Sequence, residues 1–155
     1  MATTRRFDSP EQEAFLALWR TFDLLHALEE ELFAGFDLTP QQYNALRLLR
    51  AARPNSLKTQ ELAARLVSRA PDTTRLLDKL AARKLITRHR PAENRREVRV
   101  AITDAGVALL DEIHEPLRQS HARQLGHLTR AELRDLTALL HAARLPHEDP
   151  DSHWR

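Results

Sequence analysis

The 155-residue sequence contains no cysteine and only three glycines. The absence of cysteine excludes disulfides, thiol nucleophiles, thiolate metal sites and thiol-based redox sensing. The scarcity of glycine, together with abundant Ala, Leu, Arg and Glu, is typical of a mostly helical protein. No stretch approaches the roughly 18 apolar residues of a membrane span, and the first residues lack a signal-peptide-like apolar core. We therefore expect a cytoplasmic protein that does not enter a membrane.

Charge is distributed unevenly along this chain, whose length and 42% hydrophobic content predict a single globular domain over residues 1–155. Residues 1–45 carry three Lys/Arg and eight Asp/Glu, residues 46–103 carry fifteen and five, and residues 104–155 carry six and nine. A basic middle between acidic ends predicts a polyanionic partner on one part of the surface. An arginine-rich composition from a GC-rich genome is the alternative, but it does not explain the scarcity of acids in the same segment.

Helix-capping signals predict four longer helices. Each predicted start has a Ser or Thr that can accept a hydrogen bond from the first turn, and the sequences after Thr39 and Thr129 are capping boxes with Gln42 and Glu132. Pro116 is expected to kink or interrupt the third of these helices. The predicted starts are Ser9-Pro10, Thr39-Pro40, Thr103 and Thr129. Residues about 146–155 are polar and Pro-flanked, and they are predicted to form a frayed end.

Two shorter helices, over residues 57–66 and about 70–83, are joined by a link of three or four residues and fit a helix-turn-helix. Val67 occupies the region where such a turn usually has glycine. The apolar residues of the second helix recur at helical spacing and predict its buried face, which leaves Thr74, Arg75 and Asp78 facing outward.

A basic β-hairpin is predicted directly after these helices. Residues 85–87 and 98–102 have the composition and alternation of paired strands, and residues 91–97 connect them. Arg95 and Arg96 lie at the tip of this loop with no apolar neighbour to pack on. Hairpins in this position often serve as wings that lie on DNA.

Several motifs in the right order resemble the MarR family of winged-helix transcriptional regulators. The resemblance covers about residues 10–143 and implies a mainly α fold with a small β-hairpin. It implies a winged helix-turn-helix over residues 39–103 that binds DNA, with N- and C-terminal dimerisation helices over 10–36 and 104–145. It also implies a homodimer and a small aromatic or anionic effector that lowers DNA affinity. The motifs are residues 61–66, 74–80, 82–86, 94–96 and 100–106.

The chain departs from the family pattern at three positions. The wing usually has Asp where this chain has Asn94, so a structural ion pair is expected to become a neutral hydrogen bond. Arg69 replaces a serine before the second helix of the helix-turn-helix, and Val67 replaces the turn glycine. These changes bear on sequence preference and turn geometry and leave the fold unaffected.

The predicted DNA-binding residues fall into two groups. In a helix-turn-helix, the N-terminal residues of the second helix reach base edges in the major groove, and Arg75 can bind guanine there. The alternative for Arg75 is an intrahelical pair with Asp78 or solvation beside Lys79, and Asp72 is expected to cap the helix. The candidates in this group are Arg69, Pro71, Thr74 and Arg75.

Arg95 and Arg96 form the second group, because arginines read the shape and potential of a narrow minor groove. A solvated hairpin end is the alternative for both. For Arg88, Arg90 and Arg99, phosphate contacts and salt bridges on the strand face are equally open.

No catalytic or metal-ligating set stands out. His114 and His121 lie seven residues apart with Pro116 between them, so surface histidines are the simpler account and no cofactor is expected. Trp19, His26 and Tyr43 are candidates for an effector pocket, although an aromatic stripe at helical spacing is more often core. No nucleophile–base arrangement is visible, so we do not expect an enzyme.

The sequence thus predicts a homodimeric regulator, a repressor, that binds double-stranded DNA at a pseudo-palindromic operator. The alternative is an architectural or protein-recruiting winged helix of low sequence specificity. A regulator that responds to a metal is a further alternative.

Overall fold

The computed structural model describes residues 6–68 and 72–155. These residues form six α-helices and a three-stranded antiparallel sheet. None of the helices is long and apolar enough to cross a bilayer. The elements are α1 (Pro10–Ala34), α2 (Pro40–Ala52), β1 (Leu57–Lys58), α3 (Thr59–Arg65), α4 (Thr73–Ala82), β2 (Ile86–His89), β3 (Arg99–Ile102), α5 (Asp104–Leu125), α6 (Arg130–Arg144) and a 3₁₀ turn (Leu145–His147).

The predicted helix starts are confirmed. The Ser9 hydroxyl accepts a hydrogen bond from the Gln12 amide at 3.1 Å, and complete capping boxes precede α2 and α6. These bonds satisfy backbone donors that have no partner within the first helical turn. Helix α5 runs through Pro116 without a break, so the expectation of an interruption is wrong. Ile113 and Leu117 flank the proline and are buried, which holds the helix together where one backbone hydrogen bond is lost.

The sheet has the order β1-β3-β2, with β3 in the centre. Strands β2 and β3 form the predicted hairpin, with Ile86 opposite Ile102. Leu57 and Lys58 had been predicted as the start of a helix, but they pair with Val100 and Arg99 as strand β1. A two-residue strand has no alternation to detect, and the following α3 supplied the helical pattern.

A continuous apolar core joins the sheet to the helices. Leu46 and Leu49 of α2, Leu77 and Leu80 of α4, and Val100 of β3 are each at most 1% exposed. The terminal helices contribute little to this core. Helix α1 buries only Phe33 among its 25 residues, and α6 buries no residue.

The helix-turn-helix link does not need the glycine that is missing from it. Leu66 has an extended backbone with φ of −60°, and the Val67 amide donates to the Asn44 side-chain oxygen at 2.9 Å. Asn44 lies buried on α2 and thereby ties the start of the link to the core. Asp37 and Lys84 are the non-glycine residues with positive φ in the described part of the chain, and Val67 is not one of them, so a valine fits where a glycine is usual.

The residues after α6 are folded, whereas a frayed end over about 146–155 was predicted. Arg144 pairs with Glu148 at 3.3 Å and donates to the Trp154 carbonyl at 3.3 Å. The Ser152 hydroxyl donates to Glu148 at 2.6 Å and accepts from the Trp154 amide. The polar side chains that suggested solvation instead bond to one another.

We expect Gly106→Ala to destabilise the fold. A Cβ at residue 106 would press on the Leu85 carbonyl oxygen and lie 2.6 Å from Cγ1 of Ile102. Neither neighbour can move without disturbing the sheet, so the free energy of unfolding should fall by about 1–3 kcal/mol in urea denaturation. Gly35→Ala is the matched control, because its backbone is helical and its Cβ would meet only the Leu32 carbonyl oxygen at 3.3 Å. Equal losses in the two variants would contradict this explanation.

Candidate nucleic-acid interface

Helix α4 begins with a capped, exposed first turn. The Asp72 carboxylate accepts a hydrogen bond from the Arg75 amide at 2.9 Å, which confirms its predicted capping role. Thr74 and Arg75 are exposed, while Leu76 and Leu77 of the same helix are buried. The predicted division between a buried and an outward face of α4 is therefore confirmed.

The alternative reading of Arg75, an intrahelical pair with Asp78, is not what the structure shows. Asp78 Oδ1 instead lies 2.6 Å from Nη1 of Arg88 on strand β2. This ion pair joins α4 to the first strand of the hairpin. It also neutralises a carboxylate that would otherwise repel phosphate from this face. The Arg75 guanidinium has no ion-pair partner among the described residues.

The base of the hairpin is held by a single acidic residue. Glu97 lies 3.1 Å from Nζ of Lys58 and 3.3 Å from Nη1 of Arg99, and its side chain is only 19% exposed. The Thr59 amide donates to the Val98 carbonyl at 3.1 Å, which adds a backbone link at the same place. For Arg88 and Arg99, the salt-bridge reading is thus the one that the structure shows.

The tip of the hairpin presents two arginines. Arg95 and Arg96 are exposed, and neither guanidinium has an ion-pair partner in the part of the chain that the structure describes. The Asn94 side-chain oxygen accepts the Arg96 amide at 3.2 Å. The expected neutral hydrogen bond at Asn94 is present, and it is made to the backbone, so it leaves the arginine charge uncompensated.

A cleft of about 1080 Å³ lies between the start of α4 and the hairpin. Both Thr74 and Arg96 line it, so the structure brings together one member of each predicted group. Arg75 and Arg95 are exposed and are not among its lining residues. Arg69 and Pro71 lie outside the described residues. The basic side chains that line the cleft are Lys58, Arg88, His89, Arg90 and Arg96.

Sequence reasoning missed the contacts that orient these elements. The partners of the Asp78–Arg88 and Lys58–Glu97 pairs lie on different elements, and no local spacing rule connects them. Asn44 did carry a signal, because it is a polar residue within the apolar face of α2. A buried amide in such a position needs a partner, and the Val67 amide is that partner.

The aromatic candidates for an effector pocket are distributed over different environments. Tyr43 stacks on Phe33 with ring centroids 4.6 Å apart, and burial raises the pKa of its hydroxyl. Trp19 is 60% exposed, and His26 stacks on Phe22 and lies 3.3 Å from Glu30. No three His, Asp or Glu side chains within residues 6–68 and 72–155 are placed to share a metal ion.

Comparison with known proteins agrees with this architecture. A model of the MarR family matches residues 38–98 of the chain. The crystal structure of a MarR transcription factor from Planctomyces limnophilus is 54% identical to the chain, with a TM-score of 0.70, and the match covers 87% of this chain and 98% of that one. The chain belongs to the MarR family. It is a MarR-family transcriptional regulator with a winged helix-turn-helix, and the hairpin loop over residues 90–98 is its wing.

Two further relatives bear on the MarR assignment. The HTH-type transcriptional repressor YetL of Bacillus subtilis (strain 168) is 30% identical over 110 residues, which are 71% of this chain and 66% of the repressor. A mutant E. coli MarR complexed with operator DNA is 24% identical, has a TM-score of 0.73, and is matched over 82% of this chain and 90% of that one. At this identity, the second match shows the shared fold.

We expect Asp72→Ala to destabilise the protein, because it removes the hydrogen-bond acceptor at the start of α4. The free energy of unfolding should fall by about 1 kcal/mol, measured by urea denaturation. Asp72→Asn is the matched control, since its amide oxygen can still accept from the Arg75 amide, and its stability should stay near that of the wild type. A loss of equal size in both variants would show that the carboxylate acts through its charge.

Proposed function

We propose that the protein is a homodimeric repressor that binds a pseudo-palindromic operator in double-stranded DNA and is released by a small molecule. The observation that carries the proposal is that the exposed start of α4 and the wing face one basic cleft. A duplex offers a groove for a helix beside a phosphate backbone, and this arrangement is complementary to both.

Each predicted site residue has a role in this proposal. Arg75 reads a base edge in the major groove, and Thr74 contacts a base or a phosphate there. Arg95 and Arg96 enter the adjacent minor groove, which is supported by their exposed guanidinium groups, neither of which has an ion-pair partner among the described residues. Arg69 and Pro71 precede α4 and join the major-groove group on the strength of the sequence resemblance.

The terminal helices supply the dimer interface in this proposal. Phe15 and Trp19 are each 60% exposed and Phe22 is 58% exposed on α1, and Leu139 on α6 is 70% exposed. Large apolar side chains in one row mark a surface that is covered by a partner. Residues 10–36 and 104–145 then form the dimerisation helices of a single domain over 1–155, and residues 39–103 bind DNA. Two-fold symmetry would place two α4 helices about 34–36 Å apart, which is one turn of DNA.

The similarity to YetL supports repression of transcription, and the charge of the cleft supports release of the DNA by a small molecule. YetL, which the chain resembles, is named as a repressor. A small anionic or aromatic effector in the basic cleft would occupy space and charge that a DNA strand needs, and this would lower DNA affinity. The cleft is therefore our candidate position for such an effector.

We expect Arg95→Ala combined with Arg96→Ala to weaken operator binding about tenfold or more, because two cations per subunit leave the DNA interface. Binding is measured by fluorescence anisotropy on a DNA site selected from a random library. The wild type should lose roughly a thousandfold in affinity between 50 and 200 mM salt, and the double variant should have a shallower slope.

Arg6→Ala combined with Arg155→Ala removes the same charge from exposed residues outside both the DNA-binding region and the dimerisation helices, and it is the matched control for the wing variant. Unaltered binding by the wing variant, or a flat salt response of the wild type, would contradict the proposal. Competition with unrelated duplex DNA separates it from the architectural alternative, which predicts equal affinity for any sequence.

We expect Trp19→Glu to weaken the dimer at least about tenfold, because a charge replaces an apolar side chain at the proposed interface. Sedimentation equilibrium at micromolar concentration measures this change. Val67→Glu is the control, since Val67 is 65% exposed but lies in the helix-turn-helix link. A wild-type protein that is monomeric under these conditions would contradict the dimer.

A further inference from the structure

The loop of the wing is built from two consecutive turns. The Asn94 amide donates to the Pro91 carbonyl at 3.1 Å, and the Glu97 amide donates to the Asn94 carbonyl at 3.1 Å. Asn94 therefore ends the first turn and begins the second, and its side chain also accepts the Arg96 amide. These bonds shape the loop internally, but none of them ties the tip to strand β2.

Arg90 makes the missing connection. It follows the last residue of β2, and its Nη1 donates to the Arg95 main-chain carbonyl at 2.9 Å. The bond spans the loop from the end of the strand to the turn that carries both tip arginines. The sequence left Arg90 open between a phosphate contact and a salt bridge. Among the described residues it has no ion-pair partner, and its guanidinium binds a main-chain carbonyl.

The chemistry of this bond preserves the charge of the wing. A guanidinium bound to a carboxylate loses its net charge to the pair, whereas a guanidinium bound to a carbonyl keeps it. Glu97, at the base of the wing, is already bound by Lys58 and Arg99. Hydrogen bonds from charged donors are also stronger than neutral ones. Arg90 thus holds the tip without reducing its attraction for a polyanion.

We propose that Arg90 is a positioning residue for the wing. Its bond to the Arg95 carbonyl holds the second turn in the shape that presents Arg95 and Arg96 to the minor groove. The inference rests on the proposed function of the wing. It assigns to Arg90 a structural role that depends on a hydrogen bond already present in the free protein. A residue that only contacts phosphate would leave the free wing unchanged.

The first test is amide hydrogen exchange of the free protein, without DNA. In Arg90→Gln, exchange of the Glu97 amide should accelerate about threefold or more, because the turn that it closes opens more often. Lys79→Gln is the matched control, since it removes one exposed cation from α4 and should leave this amide unchanged. Equal exchange in the wild type and Arg90→Gln would overturn the inference.

The second test is a double-mutant cycle on operator binding. Arg90→Gln should weaken binding about tenfold in the wild-type wing and less than about twofold when Arg95 and Arg96 are already alanine. Equal fold losses in both backgrounds would mean that Arg90 contacts DNA independently, which overturns the inference. If the alanine pair alone leaves binding intact, the wing function itself fails, and the exchange experiment still decides whether Arg90 shapes the loop.

Discussion

The hydrogen-bonded ladder of strand β3 is the interaction on which the DNA-binding region depends. β3 pairs with β1 on one side and β2 on the other, and its Val100 is fully buried. The wing enters at one end of this strand, and Thr103 at the other end starts α5. The Thr103 hydroxyl donates to the Lys84 carbonyl at 2.7 Å, and its amide donates to the Leu85 carbonyl at 3.0 Å. Four residues of strand thus set the relation between the wing, α4 and α5.

The Lys and Arg residues of the basic segment, residues 46–103, divide into two groups. One group binds other parts of the fold, and the other has no ion-pair partner among the described residues. Arg50 and Arg53 on α2 and its C-cap pair with Asp111 and Asp104 of α5, at 3.3 and 2.6 Å. Arg83 donates to the carbonyls of the loop between α1 and α2. The excess of charge read from the sequence is therefore larger than the charge available to a partner. The cations that have no ion-pair partner among the described residues include Arg75 at the start of α4 and Arg95 and Arg96 at the tip of the wing.

Helix capping and apolar spacing predicted the helices well, because both depend on residues only a few positions apart in the sequence. A cap such as Thr39 and its partner Gln42 are three residues apart, so the sequence contains the whole interaction. The same holds for the buried stripe of α4. Strand β1 was missed because its identity depends on Val100, which lies more than forty residues away along the chain. The folded C-terminal segment was missed because its polar residues bond to each other.

The candidate site was predictable in composition but not in geometry. Exposure of Thr74 and Arg75 followed from the spacing of the apolar residues in their helix, and exposure of Arg95 and Arg96 followed from the absence of apolar neighbours in the hairpin loop. The sequence did not show which arginines form ion pairs. Asp78 could equally have paired with Arg75 on its own helix. Only the packing of β2 against α4 decides that Arg88 takes it.

The unbroken run of α5 through Pro116 has a mechanical consequence. Its 22 residues make a rod about 33 Å long at 1.5 Å per residue. The helix is in tight contact with Leu85 and Ile102 at Gly106, and the rest of its length belongs to the region that we assign to the dimer. A tilt of about 5° at one end displaces the other by about 3 Å over that length. In the proposed dimer, small angular changes near the start of α5 would therefore produce larger changes in the spacing between the two α4 helices. The close backbone packing at Gly106 limits how freely that angle varies.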